Sequence, residues 1–219
     1  MSADVKKTLL IPTAYLPPLE YMVAMLAHNK AEIDLHETYP KQTWRNRCRI
    51  LTANGPLDLT IPVTRPNGNH TKTHEVVTSS HEPWQQKHWR AISSAYRKTP
   101  YYIFYEDLIA PYYLKTSQYL LWEFNQQLLL TITDELTLGL EWGYTDSYKK
   151  QLSGYVDLRN CISPKNRDNE PLIDHWPAYY QTFSHKYGFV PNLSIIDLLF
   201  HMGPDSKAYL QDAASLYLG

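Results

Sequence analysis

Lys41, Trp44 and three arginines lie close together in the first quarter of the sequence and form its densest cluster of cations. Arg45, Arg47 and Arg49 lead into a segment of strand-like sequence, and alternate residues of a strand share one face. A guanidinium group matches a phosphate or carboxylate group with two hydrogen bonds. The spacing therefore predicts a site for a pyrophosphate or an acidic sugar, and the alternative is a charged strand edge that discourages aggregation.

A titratable imidazole lies among aromatic and cationic side chains farther along the chain, where Trp84, Lys87, His88 and Trp89 follow Pro83. Histidine titrates nearest to neutral pH, so His88 is the candidate general base for an attacking hydroxyl or amine. His88 also lies on the apolar stripe of a predicted helix. The alternative is therefore a hydrogen-bonded histidine of the core.

Two further pairs of residues carry polar chemistry. Asp157 and Arg159 would face the same side of a strand, either within the site or as a surface ion pair. Ser194 precedes an apolar run and is followed at the third position by Asp197, a spacing typical of a capping box. The start of that helix could also offer free backbone amides to an anion, as an alternative to a simple cap.

These patterns predict one catalytic residue, His88, and a set of aromatic, cationic and polar side chains that bind a small anionic molecule such as a nucleotide sugar. The predicted binding residues are Tyr15, Trp44, Arg45, Asn46, Arg47, Lys87, Trp89, Asp157, Arg159, Asn192 and Ser194. The mechanism requires the arginine segment and the helix of His88 to converge on one concave site.

No metal and no cofactor are predicted. His70, His74 and His81 lack the cysteine or carboxylate neighbours of familiar metal sites. The sequence contains no Gly-x-Gly-x-x-Gly, Walker or Gly-x-Ser-x-Gly motif. This argues against a dinucleotide-binding domain, a P-loop enzyme and a serine hydrolase.

The elements that must position these residues are predicted from hydrophobic periodicity and from turn residues. The predicted helices cover 18–28, 83–99, 117–136 and 195–203. The predicted strands cover 32–36, 49–51, 57–63 and 140–144, and the second and third of these form a hairpin across Asn54-Gly55-Pro56. The polar segment 160–171 is predicted to be a loop or lid.

This mixture of elements favours a single compact domain, residues 1–219, of the mixed α/β (α+β) class. A small, mainly antiparallel or mixed sheet would be flanked by helices. The chain is long enough to bury a substantial core.

The composition limits the class of function. The 18 Tyr and 6 Trp outnumber the 5 Phe, so most rings carry a polar group and would line a polar pocket or lie at the margin of the core. A net charge of -1 argues against a nucleic-acid partner. No segment has the length of a membrane span or the apolar core of a signal peptide, and a cytoplasmic protein with reduced cysteines is expected.

Several motifs occur in a fixed order over most of the chain. They are Tyr15-Leu16-Pro17 with Tyr21, Trp44-Arg45-Asn46-Arg47, Pro83-Trp84-Gln85-Gln86-Lys87-His88-Trp89, and Gly188-Phe189-Val190-Pro191-Asn192-Leu193-Ser194. In this order they resemble the WbqC-like family, bacterial proteins encoded among surface-polysaccharide gene clusters of the O-antigen type.

The resemblance implies an acyl- or glycosyl-type transferase that acts on a nucleotide-activated or amino sugar in surface-polysaccharide biosynthesis. The alternative is a non-catalytic protein that supports a biosynthetic complex. The sequence departs from the family pattern at Pro12-Thr13, where Gln-Pro is expected, and at Leu35-His36, where an acidic pair is expected. Asp34 and Glu37 are the candidates to replace that acidic pair.

Overall fold

Short strands and helices alternate along the chain in the computed structural model, which describes residues 7–28, 30–115, 117–164 and 172–217. The strands are β1 (Thr8–Ile11), β2 (Lys30–Ile33), β3 (Arg47–Thr52), β4 (Gly55–Thr60), β5 (Val63–Thr64), β6 (Val77–Thr78), β7 (Glu141–Tyr144) and β8 (Tyr155–Asp157). The α-helices are α1 (Leu19–His28), α2 (Trp84–Tyr96), α3 (Tyr102–Ile109), α4 (Pro111–Leu114), α5 (Leu121–Glu135), α6 (Ser184–Tyr187), α7 (Ile195–Met202) and α8 (Ser206–Ser215).

Four strands form a parallel sheet in the order β7-β2-β1-β8. Leu9, Leu10 and Ile11 of β1 are fully buried, and a continuous apolar run is typical of a parallel strand that is covered on both faces. The mixed α/β class is thus confirmed. The antiparallel pairing that the sequence indicated occurs in two separate two-stranded sheets, β3–β4 and β5–β6.

The direction of strand addition reverses next to β1. The chain places β2 and then β7 on one side of β1, and afterwards returns to place β8 on the other side. In open parallel sheets a crevice forms outside the carboxyl ends of the strands at such a reversal, and ligands bind there. The residues that follow these four strands therefore meet at one end of the sheet.

The predicted hairpin is confirmed. β3 and β4 pair antiparallel from Arg47 with Thr60 to Thr52 with Gly55. Gly55 has a φ of +104°, a conformation that a glycine adopts without the steric cost of a side chain. The Asn-Gly signal therefore located the turn correctly.

The predicted helices correspond to α1, α2, α5 and α7, with ends close to those expected. The chain also forms α3, α4, α6 and α8, which the local pattern did not predict. Of the segment 160–171, residues 165–171 lie outside the described part of the chain. Among the described residues, no helix has the length and apolar character needed to cross a membrane.

The core is rich in aromatic side chains. Tyr15, Tyr21 and Tyr96 are 0–1% exposed, as is Phe124, and they belong to one buried hydrophobic cluster with Trp84. These tyrosines lie inside the molecule and not at the margin of its core. Each hydroxyl group consequently needs a hydrogen-bond partner within the protein.

Candidate functional site

A network of carboxylates and guanidinium groups lies at the carboxyl ends of the parallel strands. Asp34 directly follows β2, and Arg159 follows β8 by two residues. Nη1 of Arg159 donates to Oδ2 of Asp34 at 2.6 Å, and the exposed fraction of these side chains is 6% and 0%. The pair joins two strands that are not neighbours in the sheet, across the end of β1.

Arg159 is also held by the last residue of β8. Its Nε and Nη2 donate to the two carboxylate oxygens of Asp157 at 2.9 and 2.7 Å. Burial acts to raise the pKa of Asp157, but the hydrogen bonds from Arg159 outweigh it and lower the pKa. Asp157 and Arg159, predicted as a pair, therefore form a bidentate ion pair within a buried network and not an isolated surface pair.

Arg45 extends the network to a second buried carboxylate. Its Nε and Nη2 both lie 2.7 Å from Oε1 of Glu37, and Nη2 donates to the backbone carbonyl of Arg159 at 3.1 Å. Arg45 is 2% exposed and Glu37 is 7% exposed. Oε2 of Glu37 receives no hydrogen bond from the described residues, so one oxygen remains available to a ligand.

Neighbouring polar side chains fix the positions of these charges. Thr145, directly after β7, donates to Oδ1 of Asp34 at 3.2 Å. Asn125 of α5 donates from Nδ2 to the backbone carbonyl of Arg45 and to the hydroxyl of Thr13. Oδ1 of Asn125 is buried and has no partner among the described residues. Such an unsatisfied acceptor marks a place for a water molecule or a ligand donor.

The network carries three carboxylates, from Asp34, Glu37 and Asp157, but only the two guanidinium groups of Arg45 and Arg159. Burial raises the pKa of Glu37, and the nearby guanidinium of Arg45 only partly opposes this rise. A buried carboxyl group with a raised pKa and a free oxygen has the properties of a general base. An excess of carboxylate also favours a cationic ligand group, such as an amine.

A cationic region adjoins the network at Tyr39. The hydroxyl of Tyr39 is buried without a partner among the described residues. Burial raises the pKa of Tyr39, and three guanidinium groups act against this rise, those of Arg45, Arg65 and Arg47. A phenolic donor among these cations suits an anionic ligand group.

His88 lies in the aromatic core, against the rings of Tyr15 and Trp84. Its Nδ1 is 2.9 Å from the hydroxyl of Tyr15, which is 2.8 Å from the hydroxyl of Tyr113. Burial lowers the pKa of His88 to about 4, with a hydrogen bond to the Thr60 backbone opposing it. The hydroxyl of Tyr15 and Nδ1 of His88 share one hydrogen bond, and burial favours the neutral form of the ring. This environment is that of the core-histidine alternative, and Glu37 replaces His88 as the candidate base.

The two segments expected to converge do adjoin, but their reactive groups contact different partners. The backbone N–H of Tyr15 donates to the carbonyl of Trp44 at 2.9 Å, and the ring of Tyr15 contacts His88. Arg45 and His88 share no partner among the hydrogen bonds of the described residues. The hydrogen bonds thus link Arg45 to the buried carboxylate network and His88 to the tyrosines of the core.

The three arginines do not share one face, in contrast to the expectation. Arg45 precedes β3 and turns into the buried network, whereas Arg47 and Arg49 both contact Asp58 on β4. Arg49 makes the bidentate contact, and its guanidinium lies 5.5 Å from the ring centre of Trp44. Arg47 makes one 3.5 Å contact with the carboxylate and keeps 24% of its side chain exposed.

The other predicted binding residues of this region serve the scaffold. Asn46 donates from Nδ2 to the carbonyl of Ile61 and fixes the start of β3. Lys87 pairs with Glu82 on the surface at 2.6 Å, where both side chains are more than half exposed. Trp89 stacks on Tyr113, with ring centres 5.9 Å apart. None of these contacts brings the side chain to the buried network.

The predicted capping box at the start of α7 is wrong. The hydroxyl of Ser194 donates to the carbonyl of Leu16 at 2.8 Å, and the N–H of Ile195 donates to Pro17. Oδ1 of Asn192 accepts from the N–H of Glu20 and so caps the first turn of α1. Ser194 and Asn192 thus join the two helices, and the first amide of α7 is not free for an anion.

Asp197 belongs to a separate buried cluster. Its carboxylate accepts hydrogen bonds from the hydroxyls of Tyr96 and Tyr179 and from Nε2 of Gln181. Burial raises the pKa of Asp197. The carboxylate is fully enclosed by these donors, so its role is to join α7 to α2 and to the segment before α6.

Sequence reasoning named Asp34 and Glu37 only as substitutes for an acidic pair, and it missed Thr13, Asn125 and Tyr39. The predicted strand over 32–36 placed Asp34 inside a strand, whereas β2 ends at Ile33 and leaves Asp34 at its carboxyl end, where polar residues of parallel sheets line ligand sites. For the metal question, no cluster of three or more His, Cys, Asp or Glu side chains able to hold an ion occurs in the described part of the chain.

A model of the WbqC-like protein family matches residues 13–163, which is more than half of the 219 residues. The chain belongs to the WbqC-like family. All five charged residues of the buried network lie within the segment that defines this membership. They are Asp34, Glu37, Arg45, Asp157 and Arg159.

The chain is also similar to an uncharacterized protein of Mycobacterium tuberculosis. The two are 28% identical over 227 residues, an alignment that covers 94% of this chain and 98% of the relative. No solved structure matches the chain. The matched segment thus contains β2, β7 and β8 and all the charged residues at the end of the parallel sheet, whereas β1 precedes it and α7 with Asp197 follows it.

Proposed function

We propose that this WbqC-like chain is a transferase that acts on the amino group of a nucleotide-activated amino sugar in bacterial surface-polysaccharide biosynthesis. The observation that supports the proposal is the carboxylate-rich network at the reversal of the parallel sheet, where such folds bind ligands. An acyl- or glycosyl-type transfer to an amine needs a base beside the nucleophile, and Glu37 has that position and chemistry.

The carboxylates form the part of the site that holds the amine. A protonated sugar amine is attracted by the excess carboxylate of Asp34, Glu37 and Asp157. It must lose a proton before its nitrogen attacks an acyl or anomeric carbon. That first proton passes to solvent, and Oε2 of Glu37 accepts the second proton of the amine as the nitrogen bonds to the donor carbon and the leaving group departs with the electrons of the bond that breaks.

The cationic region holds the phosphates of the nucleotide. Arg47 is partly exposed and makes only one long contact with Asp58, so its guanidinium can also meet a phosphate oxygen. The buried hydroxyl of Tyr39 supplies a further donor. A ligand with an amine at one end and phosphates at the other therefore matches the two regions.

Thermal stability in the presence of ligands tests the binding. UDP-glucosamine, UDP-glucose and acetyl-CoA are added separately at millimolar concentration, and the midpoint of thermal unfolding is measured. UDP-glucosamine at about 100 times its Kd should stabilise the chain by about 2.7 kcal/mol, and UDP-glucose should stabilise it less. If no nucleotide sugar raises the midpoint, the proposal fails and the non-catalytic alternative is preferred.

The base is tested with Glu37→Gln, which keeps an acceptor for Arg45 but cannot take a proton. Transfer to UDP-glucosamine, followed by mass spectrometry, should fall by about 10²–10⁴-fold while binding persists. Glu82→Gln, a change of the same chemistry at an exposed ion pair, is the matched control and should keep full activity. A Glu37→Gln variant with undiminished transfer would exclude Glu37 as the base.

A further inference from the structure

A groove runs along the outer edge of the parallel sheet, between α5 and β7. Gln126, Leu130, Thr133 and Asp134 line it from one side of α5, because positions spaced by three, four and seven residues share a helix face. The opposite side of α5, with Phe124 and Leu128, is buried in the core. The face of α5 that points away from the core therefore lines the groove.

The other wall is β7, the edge strand of the sheet. Trp142 and Tyr144 are two residues apart and so lie on the same face of the strand, and both line the groove. The ring of Tyr144 is held by an edge contact with Trp122, at 5.3 Å between centres. The open groove has a volume of about 470 Å³, which is ample for a sugar residue.

The chemistry of the lining selects the ligand. Asp134 contributes a carboxylate, and no described residue of the lining is a cation. The side chains of Gln126, Asp134 and Glu141 make no hydrogen bond to other described residues, so their polar groups are available. Carboxylate and amide oxygens accept from hydroxyl or amine donors, and the aromatic rings offer flat apolar surfaces.

We infer that this groove binds a neutral or amine-bearing carbohydrate and excludes anionic ones. The end of the groove at Tyr144 lies beside the buried network of carboxylates and guanidinium groups. The next residue in the chain, Thr145, donates a hydrogen bond to Asp34 of that network. A sugar chain in the groove would thus extend toward the site of transfer. The use of the bound sugar in transfer rests on the proposed function, whereas binding by the groove does not.

Titration of the full chain with glucosamine, glucose and glucuronate tests the inference. Binding is followed by the indole N–H resonance of Trp142 in nitrogen-15 NMR spectra. Affinity should decrease in the order glucosamine, glucose, glucuronate. Glucuronate binding as tight as glucosamine binding would overturn the inference, and so would the absence of any shift of the Trp142 resonance with all three sugars.

Two variants locate the binding. Trp142→Ala should weaken glucosamine binding at least about tenfold, measured by calorimetry. Phe104→Ala, which removes a 71%-exposed ring of α3, is the matched control and should bind normally. Asp134→Asn changes an exposed side chain that folding does not need, and it should remove the preference for glucosamine over glucose. Unchanged preference in this variant would contradict the inference.

The same variants separate this inference from the proposed function. Sugar binding that depends on Trp142, without transfer from any tested donor, would retain the groove and reject the transferase. Transfer that is lost in Glu37→Gln, with sugar binding that is unaffected by Trp142→Ala, would retain the transferase and reject the groove.

Discussion

Asp34 illustrates why a buried charge in this chain is tied to several partners. Its carboxylate is fully buried and accepts from Arg159, from the hydroxyl of Thr145 and from the backbone N–H of His36. Removing a carboxylate from water costs several kcal/mol, and the cost is offset only when each lone pair is satisfied. The network is therefore expected to be sensitive to the loss of any one partner.

Asp34→Asn should destabilise the fold by about 3–5 kcal/mol, because it leaves the buried guanidinium of Arg159 with only one charged partner. Chemical denaturation measures the change in the free energy of unfolding. Glu82→Gln serves as the control, since the Glu82–Lys87 pair is exposed and its loss should leave the denaturation midpoint unchanged. If Asp34→Asn and the native protein had similar denaturation midpoints, the buried guanidinium of Arg159 would not need the carboxylate of Asp34.

At the scale of secondary structure, the carboxyl ends of the strands position the site, while the helix ends hold the fold around it. Asp34, Thr145 and Arg159 each follow a strand of the parallel sheet within two residues, so the pairing register of the sheet sets their separation. The ends of the helices contact each other away from this site. α7 is joined to the start of α1 by Ser194, and it ends at Gly203, where the chain packs against Tyr101.

Gly203→Ala tests this helix end. Gly203 has a φ of +55°, and an added Cβ would overlap the ring of Tyr101. Gly139, with a φ of +63°, has no atom within 4 Å of the added Cβ, so Gly139→Ala carries the backbone strain alone. Gly203→Ala should be the less stable variant by about 1–3 kcal/mol. Equal losses in thermal unfolding would show that Tyr101 moves away freely.

At the scale of the whole molecule, an aromatic core with buried hydroxyl groups couples stability to pH. Tyr113, Tyr15 and His88 form a continuous hydrogen-bonded chain. His88 must stay neutral, because the enclosed ring has no solvent to stabilise a positive charge. Protonation of this one side chain therefore opposes the packing of several core elements.

The pH dependence follows from the pKa of His88, which burial lowers from 6.5 to about 4. Between these values the unfolded chain binds more protons than the folded one, so stability rises with pH. His88 should contribute about 3 kcal/mol that is fully present above pH 6.5 and lost as the pH falls toward 4. Denaturation at several pH values should show that His88→Gln removes this part of the slope. An identical slope in both proteins would contradict the prediction.

Hydrophobic periodicity and turn residues were sufficient to predict those elements whose structure depends mainly on residues close together in the sequence. The helices α2 and α5 and the β3–β4 hairpin were predicted because their periodicity and turn residues act over a few positions. β1 was missed, since a short apolar run carries no alternation, and β8 was indicated only through the spacing of Asp157 and Arg159. For the site, the sequence correctly paired Asp157 with Arg159 but placed His88 with the arginines, because helical spacing does not reveal what covers a helix face.

The sequence by itself determined the family, the mixed α/β class and the chemical types available for a site. Only the tertiary structure decided which of them meet. Asp34 and Arg159 are 125 residues apart along the chain and are brought together by the order of the parallel strands. That order depends on burial summed over the whole core, and a long-range free energy of this kind leaves no trace in the spacing of neighbouring residues.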